Sequence, residues 1–190
     1  MSGRQRGVTL MEILITLSVS AVVLAIGSPA IGQWVHDIEV RGSASNLLSV
    51  LHAARAEALS RNAAVLLELT DEQGRPGWRL VCVQVSARCP ALIRQEAVNA
   101  TTAIRWGVST LTNMPAFSAA IGAGHGMPAR LRFDAVGAAP AIATGSDIAR
   151  IDVTHASDAG ARRRIVLIAA QGMARVCDPS AASGHPEHCH

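Results

Sequence analysis

Gly7-Val-Thr-Leu-Met-Glu-Ile-Leu-Ile-Thr-Leu-Ser18 sets one carboxylate, Glu12, near the start of an otherwise uncharged apolar run. From Ile13 to Val35 there is no Asp, Glu, Lys or Arg. At about 1.5 Å per helical residue this run is long enough to cross a hydrocarbon core of about 30 Å, so it predicts a hydrophobic helix. A carboxylate at the centre of such a helix costs about 2.5–3.5 kcal/mol, and somewhat less near an end, so Glu12 calls for a positive partner.

Working outward, helical spacing continues well past the apolar run. Ala44, Leu47, Leu48, Leu51, Ala54, Ala58 and Leu59 recur at three- and four-residue steps, with Arg41, Ser45, Asn46, Ser49, Arg55 and Arg61 on much of the remaining surface. The two patterns predict one rod from about Thr9 to Ser60, weakest at Gly27-Ser-Pro29, where proline removes a backbone donor. The competing reading is an ordinary secretory signal, with Arg4 and Arg6 before the apolar core and Ser28-Pro-Ala30 as a cleavage site. Glu12 inside the run, its length, and the helical pattern beyond Ala30 argue against that reading.

Composition limits the function. The chain has 190 residues, 49% hydrophobic and 16% charged, enough for one anchor and one modest domain. Its formal net charge of +3 rests entirely on arginine and is too small to make nucleic acid the default partner. Tyr is absent and only two Phe and three Trp occur, which excludes a surface of stacked aromatics and predicts a Val, Ile, Leu and Ala core.

Arg6-Gly7-Val8-Thr9-Leu10-Met11-Glu12, followed by an apolar helix with a proline near its end, resembles the N-terminal signature of type IV pilins and pseudopilins. The resemblance implies that a prepilin peptidase cuts between Gly7 and Val8, leaves Glu12 as the fifth residue of the mature chain, and methylates the new terminus. It also supplies the missing partner, since the free amine of Val8 on a neighbouring subunit would neutralise Glu12 during filament assembly. Members more often begin with Phe, so Val8 is a departure that bears on methylation.

Charge asymmetry orients the chain. Arg4 and Arg6 would stay cytoplasmic, Trp34 would lie at the far interface, and residues from about His36 onward would be exported. The expected organisation is a leader over 1–7, a hydrophobic membrane and filament-core helix over 8–35, its amphipathic continuation over 36–62, an exported β-rich domain over 63–177 and a flexible tail over 178–190. This describes a single-pass bacterial inner-membrane protein with a periplasmic domain, which enters a filament on assembly.

Exported cysteines can pair. Cys82, Cys89, Cys177 and Cys189 allow three connectivities, among which the sequence does not choose; local pairing of Cys82 with Cys89 and Cys177 with Cys189 is the expectation. Strand patterns are expected at Ala64 to Thr70 and Trp78 to Val85 as a hairpin, then at Leu92 to Val98, Ala103 to Val108, Arg130 to Asp134, Ile148 to His155, Arg163 to Ala169 and Met173 to Cys177, with Ala119 to Met127 as a flexible loop. The consistent fold class is α+β, a long helix packed on antiparallel sheet.

Leu131-Arg-Phe-Asp-Ala-Val-Gly137, Ile151-Asp-Val153 and Arg164-Ile-Val-Leu-Ile-Ala-Ala-Gln-Gly172 with Ala174-Arg-Val-Cys177 resemble the strand and turn pattern of the GspH/FimT group, which joins the H pseudopilin of type II secretion to minor pilins of type IV pili. The resemblance implies a minor subunit at or near a filament tip. Its partners would be other pilins, the prepilin peptidase, an inner-membrane assembly platform and, before assembly, membrane lipid.

Some FimT-like pilins bind DNA through a Gly-Arg-x-Arg element before the last strand. The matching positions are Gly172-Met173-Ala174-Arg175, so only Arg175 is kept, with Arg162, Arg163 and Arg164 as candidate substitutes. That makes DNA uptake the alternative function. No cofactor or metal is expected, because His185-Pro-Glu-His-Cys-His190 offers ligand types without a fixed tetrahedron. Gly122-Ala-Gly-His-Gly126 lacks the Lys-Ser/Thr ending of a phosphate loop, and neither a serine nucleophile elbow nor a zinc helix motif is present, so an enzyme is not expected.

Overall fold

The computed structural model describes residues 9–72, 75–97, 103–158 and 160–190, and no side chains from 26 to 30. One helix, α1 (Leu10–Arg61), precedes eight strands: β1 (Val65–Glu72), β2 (Arg75–Cys82), β3 (Arg94–Ala97), β4 (Ile104–Thr110), β5 (Ala129–Phe133), β6 (Ile148–His155), β7 (Arg164–Ile168) and β8 (Ala174–Cys177). Thr9 caps the helix, its hydroxyl accepting from the Glu12 N–H at 3.2 Å. Asn62 ends it in the left-handed conformation, φ 49°, and its N–H returns to Ala58 and Leu59 carbonyls.

The helix has two halves because the side chains differ. Val40, Ala44, Leu47, Leu51, Ala54 and Ala58 are buried at alternating four- and three-residue steps, one stripe facing the sheets. Leu59, expected on that stripe, is half exposed. From Leu10 to Leu24 the apolar side chains project all round; Leu10, Leu17, Val23 and Leu24 are each more than 60% exposed. Among the described residues no helix is long and apolar enough to cross a membrane. The expected spanning run, 13–35, passes through 26–30.

The strands form two antiparallel four-stranded sheets, ordered β3-β2-β1-β5 and β4-β6-β7-β8. The helix packs on both. Alternation in β1 puts Val65, Leu67 and Leu69 inward, where they meet Leu80, Leu131 and Phe133 across the ladder partners and Leu47 and Leu51 of the helix in one core. Trp78 and Trp106 close that core. β2 begins at Arg75, ahead of the expected Trp78, because the ladder with β1 continues through the Thr70–Gly77, Asp71–Pro76 and Glu72–Arg75 pairs.

Two segments expected to be flexible are held. Residues 119–127 lie along the outer edge of β4, with the Gly124 N–H on the Trp106 carbonyl at 2.8 Å and the Val108 N–H on the His125 carbonyl at 2.9 Å. Gly107 allows that approach, since a Cβ there would stand 2.4 Å from the Gly122 carbonyl oxygen. The C-terminal segment, 178–190, folds back as a strap: Cys177 joins Cys189, Asp178 bridges His188 in parallel, and Cys189 is buried. Cys82 joins Cys89, closing the loop after β2. Gly172 turns at φ +75° into β8, and a Cβ there would stand 2.0 Å from the Gly137 carbonyl oxygen.

Candidate functional site

The N-terminal half of α1 has the makings of a buried helix without, in a single chain, anything to bury it. Its hydroxyls are satisfied internally: Thr16 donates to the Ile13 carbonyl at 2.9 Å, Ser18 to Leu14 at 2.7 Å and Ser20 to Thr16 at 2.7 Å. From Leu10 to Leu24 these bonds leave no unpaired hydroxyl, so that stretch is compatible with an apolar environment. Glu12 is exposed in the first turn, where the helix dipole favours an acid. Among the described residues no cation pairs with it. Gly7 and Val8, the expected cut site, lie outside the described residues.

The arginines have very different surroundings. Asp152 and Arg150 share one face of β6, two residues apart, and both are fully buried. Arg150 grips the carboxylate with Nε at 2.7 Å and Nη2 at 3.0 Å, and donates its remaining protons to the carbonyls of Pro115, Ala116 and Ala119. Arg163 approaches the same carboxylate from the start of β7 and bonds the Phe117 carbonyl at 2.7 Å and that of Ala119 at 2.9 Å. The Ile121 N–H completes the cluster on Asp152 at 3.0 Å. Two guanidiniums and one carboxylate therefore pin the 115–121 loop against the second sheet.

Arg164 is also buried, with Nη1 3.1 Å from Asp178 and 2.9 Å from Glu187, which Arg41 of the helix meets at 3.3 Å. Arg175 is half-buried and bonds His190. Arg162 is exposed; its N–H donates to Asp37 at 2.6 Å, while its guanidinium has no hydrogen bond among the described residues. Met173 stands exposed with its sulfur 2.9 Å from an Arg55 nitrogen. The structure thus brings Arg162 to Arg164 near the strap, but commits Arg163 and Arg164 to internal carboxylates. Sequence reasoning missed the Arg150–Asp152–Arg163 cluster. Its signal was opposite charges at i and i+2 in a strand, the spacing that puts both on one face.

Helix and sheet are clamped at a second place. His36 and His155 stack at 4.0 Å, His36 pairs with Asp158 at 2.9 Å, and His155 meets Glu39 at 3.2 Å. The His36 hydrogen bond, followed by that of the Gly160 N–H, holds the Asp158 carboxyl below its ordinary value.

In the strap, Glu187 is lowered by its hydrogen bond from Arg164 and then by that charge. Burial raises Asp178, but hydrogen bonds from the Ser180 hydroxyl and N–H with the Arg164 and Arg162 charges outweigh it and leave the carboxyl low. Carboxyls lowered by folding stabilise the fold above their unfolded values, about 4, and that contribution is lost as pH falls through the folded values. Calorimetry of the full chain in detergent is therefore expected to show a midpoint that is steady above about pH 5 and drops below pH 4. Glu187→Gln should flatten that drop; an unchanged acid limb would refute the contribution of the strap.

Comparison with known families gives two matches. The family described as Type II transport protein GspH matches residues 43–172, more than half of the chain. The chain belongs to the GspH family. A prokaryotic N-terminal methylation motif matches residues 2–28, the stretch that holds Gly7, Val8 and Glu12.

Two crystal forms of the type IV minor pilin FimU of Pseudomonas aeruginosa are similar in structure. One has a TM-score of 0.51 at 18% identity, covering 80% of this chain and 96% of that one. The other has a TM-score of 0.48 at 18% identity, covering 79% and 99%. The first likeness shows the fold: a long N-terminal helix followed by antiparallel sheet, α+β, as in pilins. Comparison with curated proteins returns no match. The chain is thus a GspH-family protein with a pilin-like fold.

Proposed function

We propose that this chain is a non-enzymatic minor subunit of a type II secretion or type IV pilus filament, built in through its N-terminal helix. The observation that carries the reading is the contrast along α1: a buried stripe from Val40 to Ala58, and apolar side chains exposed on every side from Leu10 to Leu24. Such a surface needs lipid or neighbouring helices around it. The prepilin peptidase cuts between Gly7 and Val8; the segment then anchors the subunit in the inner membrane with its β domain outside, and Glu12 pairs with the amine of a neighbour's Val8 as the helix leaves lipid for the filament core. An inner-membrane platform supplies that transfer.

Mass spectrometry of protein extracted from membranes of the native host is expected to find a chain that starts at Val8, with or without one methyl group. A chain that starts at Ile31 would show an ordinary signal peptide and end this reading. The DNA-receptor alternative draws less support from the site, since of Arg162, Arg163, Arg164 and Arg175 two are spent on Asp152, Asp178 and Glu187. Tight duplex binding by the full chain that weakens steeply with salt would restore it.

A further inference from the structure

Among the described residues of α1 before Val40, no side chain is buried. The contacts that hold residues 33–39 to the β domain are polar, and all lead to the end of β6 or to its connection with β7. Gln33 donates to the Gly160 carbonyl at 3.2 Å, the Arg162 N–H donates to Asp37 at 2.6 Å, and two histidines meet between them. This is the neck of the molecule, where the all-round apolar half of the helix leaves the domain.

His36 of the helix and His155 of β6 stack with ring centroids 4.0 Å apart and planes 21° from parallel. The His155 side chain is 2% exposed and that of His36 32%. Each ring has its own carboxylate, and the pairs cross. The helix ring meets Asp158 of the domain at 2.9 Å, whereas the domain ring meets Glu39 of the helix at 3.2 Å. The Ser157 hydroxyl lies 3.2 Å from the other His155 nitrogen. Because both pairs bridge helix and domain, the neck opens only when both break.

Histidine is the side chain whose charge ordinarily changes between about pH 5 and 8. Carboxylic acids ordinarily titrate near 4, and the hydrogen bond from His36 holds the Asp158 carboxyl lower still. The charged groups that face the rings are Asp37 and Glu39 from the helix, Asp158 and Arg162 from the connection, and Arg105 of β4, which bonds the carbonyl of Ile104, the ladder partner of His155. One turn along the helix, Arg41 is taken up by Glu187. With both rings neutral, three carboxylates stand against two guanidiniums. One proton balances the joint, and a second would set two cations face to face at 4.0 Å.

We propose that the stacked His36–His155 pair is a proton-operated latch between the long helix and the β domain. Below neutral pH a proton on either ring turns one of the crossed hydrogen bonds into an ion pair at a partly dry site, and the neck closes. Above neutral pH both rings are uncharged, the joint is net negative, and residues 33–39 work loose from the domain. The stripe from Val40 to Ala58 stays buried in either state, so the domain keeps its fold and only its hold on the neck changes.

The test is double electron–electron resonance on the full chain in detergent micelles, with nitroxides on cysteines introduced at the exposed Ile31 and Leu111, one on each side of the neck. One narrow distance distribution is expected at about pH 6, and a broad component should grow severalfold by about pH 8. His36→Arg keeps a cation against Asp158 at every pH and should stay narrow throughout. The double variant His36→Gln/His155→Gln carries no titrating ring and should be equally broad at both. Distributions that match at the two pH values in the parent would overturn the proposal, as would a pH response that persists in the double variant. His155 is buried, so replacing it can disturb β6; His36→Arg, at the more open ring, then decides, and a variant that broadens with pH as the parent does would also end the proposal.

Discussion

Glu12→Ala is expected to leave the amount of protein in the membrane unchanged or increased, and to lower its incorporation into filaments at least about tenfold. Losing the carboxylate makes residence in lipid easier, because a charge near the end of an apolar helix is a cost there. Assembly reverses the sign. The terminal amine of a neighbouring subunit enters the helical core with no counter-charge, and removing one partner of a desolvated pair costs about 3–5 kcal/mol, where each 1.4 kcal/mol is a factor of ten. Fractionation of membranes against sheared filaments, with antibody detection of both, separates the two effects. Unchanged incorporation would refute the pairing, and loss from the membrane would show that Glu12 acts earlier, in insertion or processing.

Asp152→Ala is expected to be the most damaging single change in the β domain. The carboxylate is fully buried between Arg150 and Arg163 and also holds the Ile121 N–H. Its removal leaves Arg150 buried with carbonyl partners but no counter-charge, a loss of about 3–5 kcal/mol from a stability of roughly 5–15 kcal/mol. For a chain of this size the thermal midpoint should fall by roughly 6–20 °C. The double variant Arg150→Met/Asp152→Leu should recover only part of the loss: an apolar pair can replace a buried ion pair, but Arg163 is left without its counter-charge and the Pro115 and Ala116 carbonyls lose their donor. A midpoint for Asp152→Ala within about 2 °C of the parent would mean that the loop carbonyls alone hold Arg150.

The strap shows how a local pattern can mislead. Residues 178–190 are rich in Gly, Ser, Pro and His, a composition that reads as a mobile tail. Their order comes from elsewhere: Arg164 of β7 and Arg41 of the helix both bind Glu187, 23 and 146 positions away in the chain, and Cys189 closes on Cys177. The same holds for 119–127, whose glycines suggested freedom and instead permit contact with β4.

Periodicity alone determined the long helix, its change from all-round apolar to one-sided near residue 36, and most strands, because each is a repeat of local side-chain hydrophobicity at period 3.6 or 2. Glu12 in its uncharged run needed only adjacent residues to be noticed. Tertiary structure decided the rest: the division of the strands into two sheets and the commitment of Arg163 and Arg164 to Asp152, Asp178 and Glu187. Those features depend on which distant segments meet. The physical reason is that hydrogen bonds and ion pairs are short-ranged and satisfied by whichever group packing brings within reach, so an arginine reads the same in sequence whether it ends in solvent or on a buried carboxylate.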